Sequence, residues 1–239
     1  MNIELLYIKD CPNFKPARRL IHDIIRSFGK PISLGMKLRK IEIKDSNDAE
    51  KYLFPFSPTV RINGEDIEPE TAKTTGLACR IYRNGTGLPD RDVLKCKIAK
   101  AAGLKTILFV CTANAVRSQM AEAIVNHFLH NEWIAFSAGI MPMEVRKGVA
   151  EVLKEIGIDI SMNRAKHIDL FKDCAFDRVI TLCSDADRLC INYPVHDERD
   201  RIIFHDPVST YGFRFGHVSA LRKLRDEIKE ILLKHIGDC

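Results

Sequence analysis

The stretch Ile107–Ser118 reads ILFVCTANAVRS and joins a strand to a helix through a short loop. The strand, predicted over 105–110, is a continuous apolar run, which is typical of a strand buried on both faces of a sheet. Apolar residues at helical spacing follow over 118–129. A buried strand that leads directly into a helix predicts an α/β fold built on a parallel sheet.

The loop between strand and helix has the spacing Cys-x5-Arg-Ser, from Cys111 to Ser118. A loop of this length can point consecutive backbone N–H groups inward and surround a tetrahedral oxyanion. Arg117 would complete the ring with a planar charged group that binds two oxyanion oxygens. These amides, Arg117 and the helix dipole favour a thiolate at Cys111, which makes it a candidate nucleophile. The other residues expected to line the anion site are Thr112, Ala113, Ala115 and Val116.

On its own, this spacing also fits a buried structural cysteine beside a surface arginine. The strand before it, the helix after it and the serine directly after Arg117 favour the oxyanion site. Ser118 is expected to donate a hydrogen bond to the thiolate, to cap the helix, or to do both.

Strands and helices continue to alternate after this loop, which predicts a four-stranded parallel sheet with flanking helices. Further strands are predicted at Trp133–Phe136, Phe176–Leu182 and Arg201–Phe204, and further helices at Glu144–Ile156 and Val218–Ile236.

The first hundred residues follow a different order, β-α-β-α-β-β-α, in which Asn63-Gly64 signals a two-residue hairpin. The pattern restarts at Leu104 after the helix-ending Gly103, so we expect two domains, 1–102 and 103–239. In the first domain, strands are predicted at Asn2–Lys9, Met36–Ile43, Thr59–Ile62 and Cys79–Tyr82, and helices at Lys15–Phe28, Ser46–Tyr52 and Asp90–Ala102.

The composition fits two small globular domains, with 46% hydrophobic and 29% charged residues in a chain of 239. No apolar run approaches the roughly 20 residues of a membrane span, so we expect no membrane association. The net charge of +5 is spread among acidic residues, and no nucleic-acid motif accompanies it. The N-terminus does not resemble a signal peptide, which predicts a cytoplasmic protein. Eight cysteines in that compartment favour catalytic, redox or metal roles over a disulfide framework.

Four stretches of the second domain carry a family resemblance: VCTANAVRSQMAEA, FSAGI, FDRVITLC and HDPVST. The segment from about Leu104 to Ile236 resembles the low-molecular-weight protein tyrosine phosphatase fold, and within it the thioredoxin-coupled arsenate reductases. The resemblance implies that Asp206 is the general acid for the departing oxygen. It also implies that Asn114 holds the shape of the loop. Ala113 replaces a frequent glycine of the family, so the loop must accommodate a Cβ there.

Two further cysteines separate the reductases from the phosphatases. In the reductases that the chain resembles, the counterparts of Cys183 and Cys190 continue a thiol relay that Cys111 begins. This implies reduction of arsenate to arsenite for arsenic detoxification, with thioredoxin or another dithiol resetting the enzyme. The polar segment between the two cysteines fits a helix or a mobile loop. Two alternatives remain: a phosphatase for phosphotyrosine or small phosphoesters, and a non-enzymatic arsenic-binding or metal-binding protein.

The resemblance requires no cofactor, although Glu122 and Ser137 match positions that bind a potassium ion in some members of the family. Both also fit as ordinary polar residues of a helix and a loop. The remaining cysteines of the second domain, Cys174 and Cys239, have no counterpart and are interpreted as a core residue and a tail residue.

The first domain resembles a thioredoxin-like fold. Cys11 follows the first strand, where such folds carry a redox cysteine, and Ser57-Pro58 precedes the third strand, where they carry a cis-proline. The second cysteine of a Cys-x-x-Cys pair is absent because residue 14 is Phe14, which leaves Cys79 as the candidate partner. Three interpretations remain open: a tethered electron donor, a site for As(III) or a soft metal, and a redox-inactive docking domain. Cys96 is interpreted as structural.

Overall fold

The computed structural model describes residues 1–30, 32–189, 194–206 and 217–237, with only the backbone of residue 217. It divides into two compact units, Met1–Gly103 and Leu104–Cys239. Within the described residues, no helix is both long enough and apolar enough to cross a membrane.

The first unit contains a four-stranded mixed sheet in the order β2-β1-β3-β4. β1 is parallel to β2 and antiparallel to β3, which is antiparallel to β4. The bounds of its elements are β1 (Asn2–Ile8), α1 (Phe14–Ser27), β2 (Lys37–Ile43), α2 (Ser46–Lys51), β3 (Thr59–Ile62), β4 (Glu65–Asp66) and α3 (Arg91–Ala101).

Local sequence explains the helices of this unit. The side chain of Asp45 accepts a hydrogen bond from a backbone N–H of α2, and that of Asp90 does the same at the start of α3. α1 buries one apolar stripe, as the helical spacing predicts. The buried residues of that stripe are Ala17, Ile21, Ile24 and Ile25.

The predicted strand at Cys79–Tyr82 is wrong. The hairpin signal at Asn63-Gly64 instead leads into β4 at Glu65–Asp66, which pairs with β3. Cys79 makes only an isolated bridge with Ser57. Arg80 and Tyr82 are buried and Ile81 is exposed, so this segment has the alternating burial of a strand without forming one.

The second unit contains the predicted four-stranded parallel sheet, in the order β6-β5-β7-β8. The bounds of its elements are β5 (Lys105–Cys111), α4 (Arg117–Phe128), β6 (Trp133–Gly139), α5 (Lys147–Lys154), β7 (Ala175–Thr181), α6 (Ser184–Leu189), β8 (Val195–Arg201) and α7 (His217–Gly237). Its core includes three mutually edge-on rings, each such pair contributing about 1 kcal/mol beyond its buried area. They belong to Phe136, Phe171 and Phe176.

The last strand of this sheet lies earlier than the sequence indicated. We expected it at Arg201–Phe204, but β8 spans Val195–Arg201, whose sequence is VHDERDR. It is an edge strand, and charge pairs such as Arg178–Glu198 and Arg199–Asp187 join it to neighbouring elements. A charged edge strand has no apolar alternation for a sequence pattern to detect.

Strand register brings the functional segments together at one edge of this sheet. Cys111 is opposite Gly139 on β6, and Val110 is opposite Thr181 on β7. The loops that follow β5, β6 and β7 therefore meet at the carboxyl ends of the strands, where open α/β sheets place their ligands.

Candidate active site

The loop of residues 111–117 has its backbone carbonyls turned outward. Its carbonyl oxygens accept hydrogen bonds, at 2.8 to 3.3 Å, from the segment that follows β6. In a trans peptide the N–H points opposite to the preceding C=O, so the amides of residues 112, 113, 114 and 116 face the enclosed side. The donor and acceptor pairs are Ile140 to Cys111, Met141 to Thr112, Met143 to Ala113 and Arg146 to Ala115.

Gly139 permits this close contact between the loop and the end of β6. A Cβ at this position would lie 2.8 Å from the backbone nitrogen of Asn114 and 2.8 Å from the backbone oxygen of Thr112. Glycine is the residue that leaves room for the loop backbone here.

Cys111 is 2% exposed and lies at the start of the loop. Its Sγ accepts a hydrogen bond from the backbone N–H of Asn114 at 3.2 Å and contacts the Oγ of Ser118 at 3.0 Å. α4 begins at Arg117, directly after the loop, so the positive end of its dipole is next to the sulfur. A backbone N–H donor and the N-terminus of α4 are therefore both next to this sulfur.

Asn114 connects the loop to three other elements. Its Nδ2 donates to Ser118 Oγ and to Ser137 Oγ, both at 2.8 Å, and its Oδ1 accepts from the backbone N–H of Lys166 at 2.8 Å. Asn114 has a φ of 48°. The left-handed conformation of the loop therefore falls on an asparagine, which tolerates it, and not on Ala113.

Arg117 and Asp206 lie together beside the loop. The Nη2 of Arg117 donates to Asp206 Oδ2 at 2.9 Å, and its Nη1 donates to the backbone oxygen of Phe204 at 3.3 Å. The guanidinium is largely buried, whereas the carboxylate is about 39% exposed. An oxyanion in the loop would compete with Asp206 for this arginine and would bring the carboxyl group next to its oxygens.

Cys183 lies beside the same loop. It follows β7, where the N–H of Leu182 donates to the backbone oxygen of Val110 at 2.8 Å. The Sγ of Cys183 is 3.2 Å from Thr112 Oγ1 and is buried. The segment after it forms α6, which agrees with the helical alternative. Cys190, the other expected relay cysteine, lies outside the described residues, as does Cys239.

The residues with potassium-binding counterparts do not fit a potassium ion. The hydroxyl of Ser137 donates to Glu122 Oε2, and the Nζ of Lys166 is 3.1 Å from the same oxygen. The buried side chain of Lys166 therefore already forms an ion pair with this carboxylate. The sequence did not indicate Lys166, because it belongs to a stretch before β7 with no motif.

Comparison with known proteins agrees with this geometry. The model of the low molecular weight phosphotyrosine protein phosphatase family matches residues 106–209. An arsenate reductase of Shouchella clausii is 38% identical over 126 residues, which cover 52% of this chain and 89% of that protein. One of Brevibacillus brevis is 41% identical over 124 residues, which cover 52% of this chain and 88% of that protein. The chain belongs to the arsenate reductase family.

A solved arsenate reductase in a phosphate-binding state is 26% identical, with a TM-score of 0.49, and the match covers 56% of this chain and 98% of that one. Since the curated relatives at 38% and 41% identity are arsenate reductases, family membership does not favour the phosphatase alternative.

In the first unit, Ser57 contacts Cys79 and the end of the strand that precedes Cys11. The N–H of Ile8, at the end of β1, donates to Ser57 Oγ at 3.1 Å, and Cys11 follows three residues later. Cys79 forms a bridge with Ser57. Cys11 is buried, Cys79 is exposed, and both are free thiols. The peptide bond between Ser57 and Pro58 is cis, as expected.

Arg80 fixes the segment that carries Cys79. Its guanidinium is fully buried and makes a bidentate ion pair with Asp66 at 2.6 and 2.8 Å. It also donates to the backbone oxygen of Glu68 and lies 4.5 Å from the ring centre of Tyr82. Burial raises the pKa of Tyr82. Within the part of the chain that the structure describes, no three His, Cys, Asp or Glu side chains form a metal site.

Proposed function

We propose that the second unit reduces arsenate to arsenite through a relay of Cys111, Cys183 and Cys190. The observation that carries the proposal is a second buried thiol, Cys183, in contact with the oxyanion loop through Thr112. Hydrolysis of a phosphoester has no use for that thiol, whereas reduction of a bound oxyanion needs one.

In the first step the loop amides and Arg117 bind arsenate above Cys111. The thiolate attacks arsenic and forms an S–As bond, and one As–O bond breaks. Asp206 donates a proton to the departing oxygen, which leaves as water. Arsenic remains As(V) in this adduct. The amides that contact arsenate at the start also stabilise charge on its oxygens in the transition state.

The second step transfers two electrons to arsenic. The Cys183 thiolate attacks the sulfur of Cys111 and forms a disulfide, while the electron pair of the S–As bond stays on arsenic, which leaves as arsenite. Cys190 then attacks Cys183 and releases the thiolate of Cys111. The product is a Cys183–Cys190 disulfide, which an external dithiol such as thioredoxin reduces. A relay that must be reset by thiols fits the reducing cytoplasm.

The relay is tested with Cys183→Ser and Cys190→Ser, and with Cys174→Ala as a control buried in the same unit. We expect both serine variants to lose multiple turnover of arsenate with thioredoxin and to keep cleavage of p-nitrophenyl phosphate. Cys190→Ser should still release one arsenite per chain and accumulate a Cys111–Cys183 disulfide, detected by peptide mass mapping. Full turnover in either serine variant would show that the relay is wrong.

We propose further that the first unit is a thioredoxin-like domain with Cys11 and Cys79 as its dithiol. It is supported by the sheet order β2-β1-β3-β4, by the bridge between Cys79 and Ser57, and by the hydrogen bond to Ser57 from Ile8, three residues before Cys11. A disulfide between them requires Cα atoms within about 7 Å. The test is mild oxidation of the full chain followed by mass mapping. A Cys11–Cys79 disulfide supports the tethered donor, and its absence leaves arsenite binding or docking as the function of the unit.

A further inference from the structure

A buried ion pair lies beneath the 111–117 loop. The Nζ of Lys166 is 3.1 Å from Glu122 Oε2, and the two residues are 3% and 8% exposed. Removing one partner of such a pair leaves an uncompensated buried charge. Each residue therefore depends on the other for a partner in the interior.

Hydrogen bonds connect this ion pair to the nucleophile in one direction. The hydroxyl of Ser137 donates to Glu122 Oε2. Ser137 Oγ then accepts from Asn114 Nδ2, whose second hydrogen goes to Ser118 Oγ. Because Ser118 accepts there, its own hydrogen is available for the sulfur of Cys111, 3.0 Å away. The acceptor oxygen of Glu122 thus fixes the direction of the donors between it and the sulfur of Cys111.

The backbone of Lys166 is held independently of its side chain. Its N–H donates to Asn114 Oδ1 and its carbonyl accepts from the N–H of Gly139, both at 2.8 Å. These two hydrogen bonds fix the position from which the Lys166 side chain reaches Glu122. Shortening the side chain would leave a space beside Glu122 Oε2, to which Ser137 Oγ also donates, and both are oxygen atoms of the kind that bind alkali cations.

We propose that the side-chain ammonium of Lys166 takes the place of a monovalent metal ion next to Glu122, under the loop. Lys166 is a positioning residue: it forms the ion pair with Glu122, and Glu122 orients Asn114 and Ser118 toward Cys111 through Ser137. The loop of this chain consequently needs no potassium. The inference about turnover rests on the proposed arsenate reduction, whereas the inference about ion binding does not.

The test compares the full chain with Lys166→Ala and Lys166→Met in potassium, sodium and choline chloride at equal ionic strength. The wild type should have the same Tm and kcat in all three salts. Lys166→Ala in choline should lower Tm by roughly 10 °C and kcat by about tenfold, with little change in KM. Potassium should restore both in a saturable manner, because the ion enters the vacated space. Lys166→Met fills that space without charge and should not respond to potassium.

Lys172→Ala removes an exposed lysine of the same unit and should behave as the wild type in every salt. A potassium-specific rise in the Tm of the wild type would overturn the proposal, and so would a Lys166→Ala variant with unchanged Tm and kcat. Tm is measured without arsenate. If the chain failed to reduce arsenate, the stability measurements would still decide whether Lys166 replaces the ion.

Discussion

Gly139 is the residue on which the packing of the oxyanion loop depends most directly. In Gly139→Ala the new Cβ would lie 2.8 Å from two backbone atoms of the loop, and backbone cannot rotate away as a side chain can. We expect a loss of about 1–3 kcal/mol in the free energy of unfolding. Arsenate turnover should fall by about a hundredfold, because the inward amides move. Denaturant titration and steady-state kinetics measure the two effects.

Gly35→Ala is the matched control, since a Cβ there meets nothing within 4 Å. It should change stability by less than about 0.5 kcal/mol and leave turnover unaltered. Equal behaviour of the two variants would mean that the contact at Gly139 does not shape the loop.

At the residue level, the sequence indicated the groups that lie close together along the chain. Cys111, Arg117 and Ser118 share one motif, so strand, loop and helix could be inferred from it. Lys166 could not be inferred, because its partner Glu122 is 44 positions away and only the tertiary fold joins them. The same separation explains the suggestion of potassium. The family resemblance pointed to the carboxylate of Glu122 but not to Lys166, which pairs with it.

At the level of elements, an ion-pair cluster joins the end of α5 to α7. Glu155 accepts two bonds from Arg222 Nε and Nη2, and Arg225 Nη1 lies 2.9 Å from the same carboxylate. Arg225 also donates to the backbone oxygen of Val152. The hydrogen bond from Arg222 lowers the pKa of Glu155, and the one from Arg225 acts in the same direction.

The lowered pKa of Glu155 makes part of the stability depend on pH. The contribution is complete above the pKa of the unfolded chain and disappears as the pH falls through the lower pKa of the folded state. Glu155→Gln should therefore lower Tm at neutral pH, and the difference from the wild type should vanish in acid. Thermal melts across this range test it, with Glu151→Gln, an exposed carboxylate on the same helix, as control. A Tm difference that persists in strong acid would contradict the ionic origin.

Elements with an apolar stripe or a continuous apolar run could be predicted to within a few residues. β5 and α1 are examples, since burial on one or both faces produces the pattern that was detected. β8 lacks such a pattern because it is a charged edge strand, held by hydrogen bonds to β7 and by ion pairs. The Cys79–Tyr82 segment shows the opposite error. Its side chains alternate between buried and exposed as in a strand, but the segment is not a strand.

At the level of the whole molecule, the number of electrons that one chain can deliver distinguishes the functions proposed for the first unit. Reducing one arsenate takes two electrons, and the relay of the second unit holds two. If Cys11 and Cys79 pass their electrons to that relay, a fully reduced chain freed of external thiols should yield two arsenites from excess arsenate. Cys79→Ser should yield one, and Cys96→Ala, which removes a buried thiol of α3, should still yield two.

Arsenite is counted after acid quenching, so that product held by protein thiols is included in the yield. One arsenite per wild-type chain would rule out electron transfer from the first unit. In that case, gel filtration before the quench separates the remaining functions: arsenite that travels with the wild type but not with Cys11→Ser would identify a binding site. If arsenite co-elutes with neither protein, docking is the remaining function of the first unit. A dithiol that neither donates electrons nor retains As(III) takes no part in the chemistry.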